Sequence, residues 1–251
     1  MTLTEENYFS PEAQREYMGA SQFKAFDRCE AAAMAELNGE WVLEKTPALL
    51  VGSYIDAYFS GGLELFRAKN PEIFRRDGTL KAEYIQAEEI IRRIERDDMF
   101  MRYLSGRRQV ILTGEIEGVP VKTKMDSYHP GKAIVDLKVV RDFEPVWVDK
   151  KGRVPFAEAW GYDIQGAIYR EIEGNDLPFV LAAATKEKAA DIALIAIPPD
   201  VLDTAAEYVH AKIRRFADIK AGKDTPERCG RCDFCKATKR LDSIVDYRDI
   251  A

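Results

Sequence analysis

Apolar positions recur at two spacings along this chain, and each predicts its own elements. Between Ile111 and Lys138, ILTGEIEGVPVKTKMDSYHPGKAIVDLK, they are short-range and alternating. That predicts three strands, split at Glu117-Gly118 and at His129-Pro130-Gly131. In the third, Val135 and Leu137 point one way, and Asp136 and Lys138 the other. Helical spacing predicts a helix over Ser21–Asn38, N-capped by Ser21, with Phe23, Phe26, Ala31, Met34 and Leu37 inward and Gly39 as its stop. The apolar, small-residue stretch ALLVGSYIDAYFSGG predicts a buried helix. Ala68–Ser105 is charged, with a stripe of Ile85, Ile90, Ile91 and Ile94, a loop marked by Asn70-Pro71 and Asp77-Gly78, and a short helix Met99–Leu104.

Downstream, Val139–Val154 reads as a loop carrying Trp147 and the basic run Lys150-Lys151-Gly152-Arg153. A helix over Pro155–Glu173 follows, with Phe156, Trp160, Ile164 and Ile168 as its core stripe. Glu158, Tyr162, Gln165 and Tyr169 form a second stripe. Strands Phe179–Ala184 and Ile192–Ile197 precede a final helix, Pro199–Ala221, with Leu202, Ala206, Val209, Ile213 and Phe216 inward. These elements predict an α/β (α+β) fold: one domain over residues 1–251 with a central mixed sheet flanked by helices.

Composition narrows the function. The chain has 251 residues, 46% of them hydrophobic, enough for one substantial core. It has no apolar run of about 18 residues, so no membrane span is expected. The N-terminus lacks a signal-peptide core, and a cytoplasmic protein is expected. A net charge of −6 argues against a nucleic-acid coat protein. Only His129 and His210 are present, which disfavours histidine-based metal or triad chemistry.

The acids of the strand region are the candidate chemistry. Glu115, Asp126 and Asp136 with Lys138 form an oxygen-rich set suited to Mg²⁺ or Mn²⁺, and a lysine beside the metal can activate water and stabilise charge on a phosphate. On its own an Asp-x-Lys triplet is commonly a surface ion pair worth little. Asp56, a lone acid in an apolar helix, needs a partner. Lys122 and Lys124, placed on the face of Asp126, and Arg107-Arg108 are candidate phosphate contacts. His210, on the last helix, is read as structural.

Asp126 followed by Asp136-Leu137-Lys138 resembles the split signature of the PD-(D/E)XK nucleases, whose core is restriction-endonuclease-like. Gln165-Gly166-Ala167-Ile168-Tyr169 resembles the QxxxY motif of their RecB-type branch, and the RecE-like exodeoxyribonuclease VIII group of phages and prophages is similar over about Ser21 to Cys235. The resemblance implies a metal-dependent exonuclease acting 5′→3′ on double-stranded DNA ends, working with a single-strand annealing protein and forming a ring-like oligomer. It implies metal ligation by Asp126, Asp136 and the Leu137 carbonyl, and a site- or DNA-positioning role for Gln165 and Tyr169. Gly52-Ser53-Tyr54-Ile55-Asp56 matches a G-x-x-x-H motif with aspartate in place of histidine, which makes Asp56 a candidate ligand. A structure-specific or partner-dependent endonuclease, and a catalytically silent DNA-binding scaffold, are the rival readings.

Cysteine supplies the last feature. Cys229-x-x-Cys232-x-x-Cys235 lies far from Cys29, and four thiols in a cytoplasmic chain suit Zn²⁺ or an iron–sulfur cluster better than disulfides. One upstream cysteine plus a C-terminal trio is similar to the iron–sulfur nucleases of the same superfamily. That resemblance implies a 4Fe-4S cluster stapling the two ends of the domain. Zn²⁺ and reduced free thiols are the alternatives.

Overall fold

Several helices start where the chain offers a side-chain acceptor or a proline. Ser10 caps α1 (Pro11–Glu16), its Oγ accepting from Ala13 N at 3.2 Å. A two-residue strand, β1 (Met18–Gly19), leads into α2 (Ala20–Arg28) and α3 (Glu30–Leu37). Thr46 caps α4 (Pro47–Ser60), which ends at Gly61 in the left-handed conformation. Then come α5 (Leu63–Lys69), α6 (Ala82–Glu95) and α7 (Asp98–Leu104). The alternating stretch forms the meander β2 (Arg107–Ile116), β3 (Val119–His129) and β4 (Ala133–Val140). A small ribbon, β5 (Val146–Val148) with β6 (Gly152–Val154), precedes α8 (Phe156–Ala159) and α9 (Tyr162–Glu173). Strands β7 (Phe179–Thr185) and β8 (Ile192–Ile197) follow, then α10 (Pro199–Lys220) and α11 (Asp233–Ala237). This computed structural model describes residues 1–42, 46–149, 151–241 and 243–249.

The main sheet runs β2-β3-β4-β7-β8, parallel between β4 and β7 and antiparallel at its other joins, with β1 added parallel to β3. One edge of β3 is taken by β2. On its other edge β1 pairs with Val121 and Lys122, and β4 pairs with Ser127 to His129. Residues 123–126 of β3 therefore border a fork in the sheet. Helices α2, α9 and α10 cover one face, packing on Ile134, Phe179 and Leu181. Helices α4, α6 and α7 cover the other, packing on Val135, Leu137, Val180 and Ala182. Both faces of β7 are apolar because both are covered.

Two expected helices are each broken. The helix expected over Ser21–Asn38 splits at Cys29, whose backbone is extended (φ −167°, ψ 106°). There Ala31 N bonds Glu227 O at 3.0 Å, tying the break to the C-terminal segment. The helix expected over Pro155–Glu173 splits at Gly161, which adopts φ +62°. That conformation, together with Lys24 Cδ only 2.8 Å from where a Cβ would sit, requires glycine. The break turns Trp160 outward (57% exposed) instead of into the core, and detaches Glu158, which pairs with Lys151 at 3.1 Å. Ile85 is also exposed, and Tyr84 and Ala87 complete the α6 stripe in its place. The loop expected over Val139–Val154 holds the β5–β6 ribbon; its Lys150 lies outside the described residues.

Helix α9 sits close on the sheet because Gly166 faces Phe179 and Leu202. A Cβ there would lie 2.5 Å from Phe179 Cδ1 and 2.8 Å from Leu202 Cδ2. Gly166→Ala is expected to cost about 1–3 kcal/mol of stability, read from chemical denaturation, since the neighbours are packed rings and branches.

Candidate active site

The fork between β3 and β4 positions the acids. Alternation along β3 changes phase at Asp126. Val121 and Met125 face the α9 side, whereas Ser127 Oγ donates to Tyr103 O on the α7 side at 2.7 Å. Across the ladder, Gln109 of β2 takes φ +52°, and no register pair forms between it and Asp126. The twist delivers the Asp126 carboxylate into the fork, where Oδ2 accepts from Leu137 N at 2.9 Å and Oδ1 from Gln109 Nε2 at 3.3 Å.

Asp136 is 2% exposed, and its Oδ1 accepts from Gln165 Nε2 at 2.7 Å. Its Oδ2 forms an ion pair with Lys138 but is otherwise without a hydrogen bond. Lys138 Nζ also stands 5.3 Å from the centroid of the Tyr162 ring. Asp56 enters from α4 and is coupled electrostatically to Asp136, Lys124 and Lys138. Burial, then Asp136 and Asp56, push the Asp126 carboxyl well above the usual range. Burial likewise pushes Asp56 up. Burial opposes the Lys138 ammonium, but Asp136 and Asp126 outweigh it and raise its pKa.

An unbalanced negative site of this kind fits a divalent cation. Two of its three carboxylates are held toward protonation although lysines stand nearby, and Asp136 Oδ2 has unused acceptor capacity. Ionised Asp126 is costly in the folded chain without metal. Its folded pKa lies above its unfolded one, so its contribution to stability declines as pH rises from the unfolded value toward the folded one. Asp126→Asn is therefore expected to raise Tm in metal-free buffer at neutral pH. The gain should shrink on acidification, which a thermal melt series will show.

Four sequence expectations need correction. Glu115 is exposed and pairs with Pro120 at the far end of β2, six residues from the position opposite Asp126, so it takes no part in the site. Lys122 is 1% exposed and donates to Tyr8 O at 2.6 Å; β1 and the N-terminal segment cover it, and burial pushes its pKa down to about 8. It is an internal tie and no phosphate contact. Tyr169 is also buried: its hydroxyl donates to Lys124 O at 3.0 Å and its ring packs on Phe179. It braces α9 against β3 beside Asp126, a site-positioning place, with almost no surface exposed for contact. Lys124 does not share a simple strand face with Asp126, yet its ammonium remains half-buried at the rim of the site.

Arg107 and Arg108 are exposed at the start of β2, opposite Tyr128 and Ser127. His129 Nε2 lies 2.8 Å from Tyr103 O, and His210 bridges Glu117 and Glu171, so both serve the structure. Sequence reading missed Gln109, Lys24 and Tyr8. Lys24 donates to Trp160 O at 3.2 Å, and burial, then Lys138, lowers its pKa to about 8. No linear motif marks these residues; they arrive from a strand distortion and from the N-terminal region.

The cysteines form a second site. Cys29, at the break between α2 and α3, meets Cys229, Cys232 and Cys235, and all four sulfurs lie within 4.8 Å of one another. Cys29 Sγ is 3.6 Å from Cys235 Sγ, with no disulfide among them. Arg231 N and Cys232 N donate to Cys229 Sγ at 3.4 and 3.3 Å, and Cys235 N to Cys232 Sγ at 3.4 Å. The Arg231 N–H is the main cause that brings the Cys229 thiol down to about 6, while burial takes Cys232 up to about 12.

A mixed sheet forked at two aspartates, with Asp-x-Lys on the central strand and a glutamine reaching it from α9, defines the PD-(D/E)XK nuclease class. The family described as PDDEXK-like domain of unknown function (DUF3799) matches residues 19–238, and the chain belongs to that family. The crystal structure of a protein from Eubacterium rectale, described as a "putative exonuclease", superimposes with a TM-score of 0.94 at 48% identity, covering 99% of this chain and 98% of that one. No curated protein matches. Among the described residues no helix is long and apolar enough to cross a membrane.

Proposed function

We propose that the protein is a divalent-metal-dependent exonuclease that hydrolyses DNA phosphodiester bonds from duplex ends. The observation that carries the chemistry is the convergence of Asp126, Asp136 and Lys138 at the fork, with Gln165 fixing Asp136. Asp126, Asp136 and Asp56 would hold Mg²⁺ or Mn²⁺, with the Leu137 carbonyl as a further donor. Bound there, the metal would polarise the phosphate and lower the pKa of water. Gln165 orients Asp136 by its 2.7 Å bond. Lys138, ion-paired with Asp136, is placed to help activate water and to stabilise charge on the phosphate. Lys124, Arg107 and Arg108 are the candidate backbone contacts. The end preference rests on the Eubacterium rectale relative's description, and 5′→3′ polarity, a recombination role with an annealing protein and a ring oligomer rest on the RecE-like resemblance.

For the cysteine site we favour Zn²⁺ over the 4Fe-4S cluster. A tetrahedral Zn–S₄ centre with bonds of about 2.3 Å has sulfurs about 3.8 Å apart. The observed 3.6 and 3.9 Å separations match that edge. A cubane carries each thiolate on a different iron and needs a wider spread.

The test is degradation of linear and closed-circular duplex DNA with Mg²⁺ or Mn²⁺. Loss of the linear form alone, blocked by EDTA, is expected. Cutting of circles would instead make the protein an endonuclease, and binding without cutting would make it a scaffold. Labelling either 5′ or 3′ ends reads polarity in the same assay.

A further inference from the structure

An aromatic residue stands at the rim of the acid cluster with its ring in solvent. Phe9 is 65% exposed, whereas its neighbour Tyr8 is 7% exposed. The Phe9 ring is held edge-on against Tyr8 at a centroid distance of 4.9 Å. Tyr8 is itself locked, because Lys122 Nζ donates to its carbonyl and lies 4.6 Å from its ring centroid. Ser10 follows as the cap of α1, which fixes the chain beyond. Lys124 Nζ lies 4.8 Å from the Phe9 ring centroid and 5.6 Å from that of Tyr8. The Lys124 backbone is about 7 Å from that of Asp126 at strand spacing, and the Lys124 ammonium acts electrostatically on Asp56, as Asp126 does on Tyr8. The Lys124 backbone is pinned by Tyr169. The outcome is an exposed ring and an ammonium side by side at the rim of the acid cluster.

Resting on the nuclease reading above, we infer that Phe9 and Lys124 form a nucleotide-binding subsite beside the scissile position, Phe9 stacking on a base and Lys124 contacting the adjoining phosphate. Stacking on an aromatic face tolerates any base and suits an enzyme that must advance through arbitrary sequence. Lysine binds phosphate as a point charge, without the planar match that arginine needs.

The test uses the full chain with Ca²⁺ and a short blunt duplex carrying 2-aminopurine at its terminal position, read by fluorescence and by titration. Wild type should quench the probe. Phe9→Ala should lose the quenching and bind roughly 10-fold more weakly. Phe9→Trp should restore both, and matched thermal melts will show that Phe9→Ala is folded. Wild type that binds and cuts DNA, with Phe9→Ala indistinguishable from it, would overturn the subsite and leave the nuclease reading intact. Wild type that neither binds nor cuts would overturn both.

Discussion

Asp136→Asn is expected to lower metal-dependent DNA hydrolysis by at least about 1,000-fold while the fold survives. The two side chains have the same shape, and Gln165 Nε2 can still donate to the remaining oxygen from 2.7 Å. What disappears is a full charge in a site that is 2% exposed, where electrostatic interactions are strongest. That charge binds the Lys138 ammonium and helps keep Asp126 and Asp56 out of their ordinary range. Its removal should therefore weaken Mn²⁺ binding in calorimetry and, at the same time, ease ionisation of Asp126. Lys138 keeps Asp126 as a counter-charge, so Tm should move little. Near-wild-type turnover would remove Asp136 from the chemistry and with it the proposed site.

The second large effect concerns stability. Cys235→Ser, or stripping with a strong chelator, is expected to lower Tm by about 6–12 °C. This corresponds to roughly 3 kcal/mol for a chain of this size, the scale of a cross-link closing a long loop. Cys235 is 3% exposed and joins Cys29 across 206 residues of sequence. The same junction is supported by Arg215, which binds Glu30 through Nε and Nη2 at 2.7 and 2.8 Å, and by Trp41 against Phe234. Those contacts should survive the variant, so the loss should be partial and concentrated at the C-terminus, where limited proteolysis will locate it. Elemental analysis should find about one zinc per chain. Iron, acid-labile sulfide and a visible charge-transfer band would restore the 4Fe-4S assignment. An unchanged Tm on chelation would leave the four thiols as packed neighbours without a metal.

The two predictions draw on different parts of what could be read beforehand. Asp136 and Lys138 were legible as one face of a strand because alternation is local, whereas Asp126 and Gln165 were singled out by the order and spacing of the motifs that carry the family resemblance. The same local logic misassigned Lys122. It placed this residue on the site side of a regular strand and had no means of knowing that the N-terminal segment covers it. Glu115 failed for a related reason: it lies on the predicted strand, but at the end that the register carries away from the fork. Gln109 and Lys24 were invisible, because their roles depend on one distorted backbone angle and on one packed helix.

By itself the sequence determined the order of the main strands and helices, the split acid motif and the number of thiols, since these follow from short-range periodicity and composition. Tertiary structure alone decided where the chain departs from that periodicity. The breaks at Cys29 and Gly161 and the twist at Asp126 each exchange local backbone regularity for a distant partner: the C-terminal cysteines, the packed Lys24 and the Leu137 amide. A partner far away in sequence leaves no periodic trace at the residue that yields to it, which is why both candidate sites lie where the local pattern stops.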